Sequence, residues 1–154
     1  MLRNAVIGML ICGMVSQANP ARADFADGAR AYDSGDYATA YSQWRTLARQ
    51  GDPAAQVAIA SLYHRGMGRP VDLARAASWY RRAADQGDAV AQMNLGEMYE
   101  NGWGVKRDRV AAFVWYDRSA RQGKEWSATA RDRLERTLSA EALAEARKRL
   151  KNTP

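Results

Sequence analysis

The sequence is poor in the residues that most often carry chemistry, with one cysteine and one histidine among 154 residues. Cys12 lies in an apolar N-terminal segment, so the remainder of the chain has no thiol and forms no disulfide. Zinc sites need several cysteine, histidine or carboxylate ligands at close spacing, and His64 has no such neighbours. It also lacks an obvious serine or cysteine nucleophile as a partner. The sequence predicts no metal, no cofactor and no catalytic residue.

Glycine-rich loops and carboxylate pairs give no stronger indication of catalysis. Residues 66–68 and 102–104 read Gly-Met-Gly and Gly-Trp-Gly. They lie between predicted helices, do not follow a strand and lack the Lys-Ser/Thr pair of a phosphate loop. Glu97, Glu100 and Glu135 are the carboxylates considered for acid–base work, and their placement is more typical of solvated helix surfaces.

Long apolar runs are scarce as well. The longest, Ala5 to Val15, has about 11 residues, fewer than the ~20 needed to span a bilayer. Arg3 precedes it, and Ala21-Arg22-Ala23 fits the small-x-small rule for signal cleavage. We predict a signal peptide over residues 1–23, with a second possible site after Ala18. The mature chain, residues 24–154, is then one periplasmic or secreted domain with no stable membrane insertion.

No strong excess of one charge is present. The chain has 23 Lys and Arg against 17 Asp and Glu, and Arg3 and Arg22 leave with the predicted signal peptide. This balance and the predicted export argue against a nucleic-acid partner. The basic run Arg147 to Lys151 is more typical of a solvated helix end than of a binding patch.

What the sequence does contain is an internal repeat. Residues 52–87 and 88–123 align at a period of about 36 residues, which is typical of helical solenoids, with about 14 identical positions. Asp52, Asp88 and Asp108 occur where helix N-caps are needed, and Gly102 is placed to end a helix. The predicted buried stripes are Ala91, Leu95, Met98 and Tyr99, then Ala112, Trp115, Tyr116 and Ala120, with Gly96 allowing close helix approach.

The pattern A-Q-x-x-L-G-x-x-Y-x-x-G-x-G-V-x-x-D-x-x-x-A-x-x-W-Y, carried by Ala91 to Tyr116, resembles the Sel1-like repeat, a relative of tetratricopeptide repeats. The resemblance implies an all-α, right-handed α-α solenoid of stacked hairpins. The first copy has Ala60 in place of the glycine and Arg69-Pro70-Val71 after Gly68, so we expect its turn to be reshaped. Exported members of this family act as scaffolds or regulators of membrane sensors and of envelope assembly.

Flanking segments complete the predicted domain. Residues 25–51 form a hairpin with a shorter turn, typical of a tetratricopeptide-like repeat. Residues 124–151 form two C-terminal cap helices, the first with the stripe Trp126, Ala130, Leu134 and Leu138 and the second capped by Ser139. Trp44, Trp79, Trp115 and Trp126 are all predicted to lie in the core.

The predicted function is that of a non-enzymatic exported adaptor, scaffold or regulator that binds a segment of another envelope protein in the groove of the repeats. Trp103, in a turn, is either packed on its own hairpin or an exposed anchor. One alternative is binding of cell-wall glycan or anionic lipid through arginines such as Arg81, Arg82 and Arg118. A minor alternative is hydrolysis of β-lactams or cell wall. The predicted groove residues are Asp27, Arg30, Ser61, His64, Arg65, Asn94, Glu97 and Asn101.

Overall fold

A computed structural model describes residues 20–152, in which every regular element is an α-helix. Residues 1–19 of the predicted signal peptide, including the possible cleavage site after Ala18, lie outside the described range. The helices are α1 (Pro20–Asp33), α2 (Tyr37–Arg49), α3 (Pro53–Arg65), α4 (Leu73–Asp85), α5 (Ala89–Asn101), α6 (Arg109–Arg121), α7 (Glu125–Thr137) and α8 (Ala140–Lys151).

The helices pack in chain order as stacked hairpins. Helices α1 and α2, α3 and α4, and α5 and α6 form the three hairpins, and each packs on the next. Helices α7 and α8 both pack on α6 and close the array. The predicted all-helical fold of stacked hairpins is confirmed.

Aspartates begin the helices of the two repeats, as predicted. The Oδ1 atom of Asp52 accepts a hydrogen bond from the backbone N–H of Ala55 at 2.7 Å, and Asp88 does the same with Ala91 at 2.7 Å. Each bond satisfies a helix N–H group that has no partner within the helix.

The two inter-helix turns have the same geometry, so the expectation of a reshaped first turn is wrong. Gly66 and Gly102 both adopt the left-handed conformation, at φ 68° and 75°. The N–H of the aspartate six residues later donates to a tyrosine carbonyl in both turns, Asp72 to Tyr63 at 3.0 Å and Asp108 to Tyr99 at 2.9 Å. The substituted residues 69–71 occupy positions of the turn that need no left-handed backbone.

Close contacts between a turn and the preceding hairpin set the stacking. Gly104 has φ 66°, and a Cβ atom there would lie 2.2 Å from the backbone of Leu73, at the start of α4. In the same way, a Cβ atom on Gly68 would lie 2.6 Å from the Cβ atom of Tyr37, at the start of α2. Only glycine fits these positions, because a side chain would clash with backbone or with the base of a side chain.

A buried glutamine joins each repeat to the hairpin before it. The Nε2 atom of Gln92 donates to the carbonyl of Ala84, in α4, at 3.2 Å, and its Oε1 accepts from Gln122 at 2.8 Å. Gln92 is buried, so these bonds replace the water that the amide loses on folding.

The first repeat contains the same arrangement. Gln56 donates to the carbonyl of Ala48, in α2, at 3.1 Å and accepts from Gln86 at 2.9 Å. The recurrence of both bonds at equivalent positions makes the glutamine a structural part of the hairpin-to-hairpin contact.

One core cluster runs through α1–α5 and includes Trp115 of α6, and a second lies between α6, α7 and α8. Trp44 and Trp115 are buried as predicted, and Trp79 is half-buried against the first cluster. Trp126 is 50% exposed, so its assignment to the core is wrong. Its ring packs against Tyr116, but α8 packs on α6 and not closely on α7, so no later helix buries the ring.

Candidate functional site

Four of the predicted groove residues gather around one buried tyrosine. Tyr80 extends from α4, and its ring packs edge-on against His64 of α3, with centroids 6.2 Å apart. The charges of Arg65, from α3, and Glu97, from α5, both act on its hydroxyl, as does the hydroxyl of Ser61. We call these five residues the Tyr80 cluster. It joins the first helices of two successive hairpins.

Burial raises the pKa of Tyr80 to about 12, and the negative charge of Glu97 adds to the rise. The positive charge of Arg65 and a hydrogen bond with Ser61 oppose it. At neutral pH the phenol is therefore protonated and serves as a hydrogen-bonding group, not as a base.

Trp103 extends the cluster from the next hairpin. Its ring packs edge-on against His64, with centroids 5.8 Å apart, while the residue remains 38% exposed. It therefore packs on the preceding hairpin and still offers indole surface to solvent.

The other four predicted groove residues form contacts within their own helices. Asp27 and Arg30 form an exposed ion pair with each other on α1. The side-chain amides of Asn94 and Asn101 donate to carbonyls of their own helix, at 2.8 Å to Val90 and 2.9 Å to Glu97. Each bond uses one of the two N–H donors of the asparagine within α5.

A second tyrosine cluster follows at the C-terminal end of the array. The hydroxyl of Tyr116 donates to Glu100 Oε2 at 3.0 Å, and Arg133 of α7 pairs with the same carboxylate at 2.7 Å. The exposed ring of Trp126 lies against Tyr116, with centroids 5.5 Å apart. Burial raises the pKa of Tyr116, and the charge of Glu100 adds to the rise.

Sequence reasoning did not include this second cluster, because it assigned Tyr116 to the buried stripe of α6 by its spacing. The sequence nevertheless contained a chemical indication of this cluster. Both repeats place a tyrosine at the same buried position, and a buried phenol needs a polar partner. Tyr116 donates to Glu100, whereas the residue of the first repeat that is equivalent to Glu100 is His64, which packs against Tyr80.

An apolar cleft of about 350 Å³ lies on the same first helices, nearer the N-terminus of the array. None of the eight predicted groove residues lines it. We use the term first-helix face for the surface of α1, α3 and α5 that carries this cleft and the Tyr80 cluster. The cleft is lined mainly by Phe25, Ala29, Tyr32, Ala54, Val57, Ala58 and Val90.

Two of the three carboxylates considered for catalysis form ion pairs with arginines. Glu100 binds Tyr116 and Arg133, and Glu135 pairs with Arg147 at 3.0 Å. Within residues 20–152, no group of three or more histidine, cysteine or acidic residues is placed to hold a metal ion. None of the helices described is both long enough and apolar enough to cross a membrane.

Comparisons with known proteins agree with this architecture. The sequence profile of the Sel1 repeat matches residues 53–88 and 89–124. A protective antigen present in uropathogenic Escherichia coli strains, which displays an SLR fold, is similar at 33% identity and TM-score 0.79 over 84% of this chain and 29% of the antigen. A Sel1 repeat protein from Oxalobacter formigenes is similar at 35% identity and TM-score 0.68 over 71% of this chain and 45% of that protein.

This chain thus spans less than half the length of either solved relative. None of the curated proteins matches it. The two matched repeats, each with its capped helices and left-handed glycine, and the likeness to two solved repeat structures show that the chain belongs to the Sel1 repeat family.

Proposed function

We propose that this protein is a non-enzymatic adaptor that binds a segment of another protein on its first-helix face. The observation that carries the proposal is the apolar cleft of about 350 Å³ on α1, α3 and α5. Apolar side chains that remain accessible on a repeat array are typical of surfaces that receive a peptide or a helix.

The neighbouring Tyr80 cluster supports the same function. His64 and Trp103 offer aromatic surface, and Arg65 and Glu97 offer charges of both signs. A partner segment could place an apolar stripe in the cleft and a few polar side chains against the Tyr80 cluster.

Export is part of the proposal. It is supported by the short apolar run and the small-x-small site at residues 21–23 of the sequence. The partner is then another protein of the cell envelope, as the resemblance to exported repeat proteins implies.

The direct experiment is a crosslinking pull-down from the envelope with the mature chain and two variants. Ala54→Glu places a charge in the cleft, and Ala38→Glu places the same charge at the equivalent second position of α2. Both alanines are exposed, and an acidic residue in the first helical turn does not harm folding. We expect a recurrent protein partner that Ala54→Glu loses and Ala38→Glu retains.

Recovery of glycan or lipid without a protein would contradict the adaptor and support the alternative ligand class. Equal capture by both variants would place the binding surface elsewhere.

We also propose that the protein catalyses no reaction. The purified mature chain should hydrolyse neither β-lactams nor peptidoglycan above the buffer rate. Turnover that disappears in His64→Ala or Glu97→Gln would overturn this proposal, because those residues carry the imidazole and a carboxylate of the Tyr80 cluster.

A further inference from the structure

A second cleft, of about 330 Å³, lies outside the first-helix face, between α4, α5, α6 and the end of α8. Its walls combine aromatic and aliphatic surface with guanidinium groups, so we call it the arginine cleft. It is lined by Arg81, Asp85, Tyr99, Trp115, Arg118 and Arg149, among others.

Two arginines from different helices converge on one indole ring in this cleft. The guanidinium carbon of Arg118 lies 4.8 Å from the centroid of Trp115, and that of Arg81 lies 6.0 Å from the same centroid. Arg81 also lies over Tyr99 and donates to its hydroxyl. The aromatic rings therefore hold both cations in place on the wall of the cleft.

The cleft also contains two acidic residues, Asp85 and Asp108, and in the described part of the structure neither forms an ion pair with Arg81 or Arg118. Asp108 caps α6 through Oδ1, and its Oδ2 lies 3.4 Å from Arg149. Among the side chains that the structure describes, no carboxylate forms an ion pair with Arg81 or Arg118. Two neighbouring cations on one aromatic wall, without an ion-pair partner, favour the binding of an anion.

The repeat shows that this convergence is specific to one position. Arg82 is the counterpart of Arg118 and lies over Trp79 in the same way, at 4.7 Å. The counterpart of Arg81 beside Trp79 is Arg45 of α2, but among the described residues only Arg82 lies over that ring. Stacking of an arginine from the same helix thus occurs in both repeats, whereas the contact of a second arginine occurs only at Trp115.

We propose that the arginine cleft binds the phosphate group of a ligand between Arg81 and Arg118, with Trp115 as its apolar wall. Guanidinium groups match phosphate oxygens in a forked geometry, and two of them can hold one phosphate from two sides. The phosphate belongs to a soluble phosphomonoester or to a lipid headgroup, and both present anionic phosphate oxygens to the guanidinium groups. The site is independent of the first-helix face.

The experiment measures binding of inorganic phosphate by calorimetry, and of vesicles by flotation, to the mature chain. The vesicles contain phosphatidylglycerol in phosphatidylcholine, with pure phosphatidylcholine as the control. Arg118→Gln and Arg81→Gln are compared with Arg82→Gln, which removes an arginine of the same stacking type outside the cleft. Circular dichroism establishes that all variants are folded.

We expect Arg118→Gln and Arg81→Gln each to weaken phosphate binding about tenfold or more, the typical effect of losing a charge-assisted hydrogen bond, and Arg82→Gln to leave it unchanged. Phosphate binding without vesicle binding would identify a soluble ligand, and vesicle binding lost in the same two variants would identify a lipid headgroup. Absence of both, or equal weakening by all three variants, would overturn the proposal.

Discussion

The ring of Tyr116 occupies the space that a side chain at position 96 would need. A Cβ atom built on Gly96 would lie 2.6 Å from Tyr116 Cδ1 and Cε1. Tyr116 of α6 thus contacts α5 twice, through its ring at Gly96 and through the hydrogen bond from its hydroxyl to Glu100.

Gly96→Ala tests that contact. At a solvent-exposed position inside a helix, alanine stabilises the fold by about 1 kcal/mol relative to glycine. Here we expect a net loss of about 1–3 kcal/mol, because the buried ring of Tyr116 must move. The measurement is chemical denaturation. As a comparison, Ala60→Gly changes the equivalent buried residue of the first repeat and should cost about 1–2 kcal/mol, from helix propensity and the loss of a buried methyl group. An increase in stability for Gly96→Ala would contradict the close packing.

Gln92→Ala tests the buried bonds between repeats. The change removes two hydrogen bonds, although the Ala84 carbonyl still accepts from the Gly87 N–H and the Gln122 amide still donates to the Gly87 carbonyl. We expect a loss of about 1–3 kcal/mol, the usual net contribution of two hydrogen bonds. The exposed Gln50, at the C-cap of α2, is the matched control, and Gln50→Ala should change the free energy of unfolding by less than about 0.5 kcal/mol. Equal effects would mean that the bonds contribute nothing.

Alkaline pH should weaken the fold through Tyr80. Its pKa is raised from 10.0 to about 12 by burial. The folded chain therefore keeps the phenol proton at pH values where the unfolded chain has released it. This stabilisation is fully present below about pH 10 and is lost as the pH rises to about 12, with a total of ~2–3 kcal/mol.

Denaturant titrations of the native chain and of Tyr80→Phe from pH 8 to pH 12 measure this effect. The variant should lose stability less steeply above pH 10, and the remaining slope should include Tyr116, whose pKa is also raised by burial. Identical slopes for the two proteins would exclude Tyr80 as a source of the alkaline sensitivity.

Mass spectrometry of the envelope fraction tests export. We expect Asp24 at the N-terminus, because the small-x-small site ends at Ala23. A membrane-bound protein that retains Met1 would contradict cleavage.

Local features of the fold were predictable from the sequence. Aspartate caps and left-handed glycines depend on residues a few positions apart, and Asp52, Asp88 and Gly102 behave as expected. The partners of Gln56 and Gln92 were not predictable, because both amides bind carbonyls of another hairpin.

The candidate surfaces were only partly predictable, for a similar reason. Helical spacing places Trp126 on a stripe but does not show whether a later helix covers it. The repeat alignment places Arg118 beside Trp115, but only the packing of α4 on α5 brings Arg81 to the same ring.

The central claim is that stability and partner binding reside on separate faces. Trp115 is buried, and Trp115→Ala should cost roughly 3–5 kcal/mol by leaving a cavity. A fourfold alanine variant of the first-helix face should change the free energy of unfolding by well under ~1 kcal/mol per site. It replaces Arg30, Arg65, Asn94 and Glu97.

The most direct test is the affinity of the fourfold variant for the captured partner, measured on protein shown to be folded by thermal melting. The control replaces four exposed residues of the second helices with the same charge balance, namely Arg45, Arg49, Ser78 and Asp85. We expect the first-helix variant to bind about tenfold more weakly or worse and the control to bind like the native chain. A first-helix variant that unfolds, yet binds the partner normally in its surviving folded fraction, would contradict the assignment of the faces.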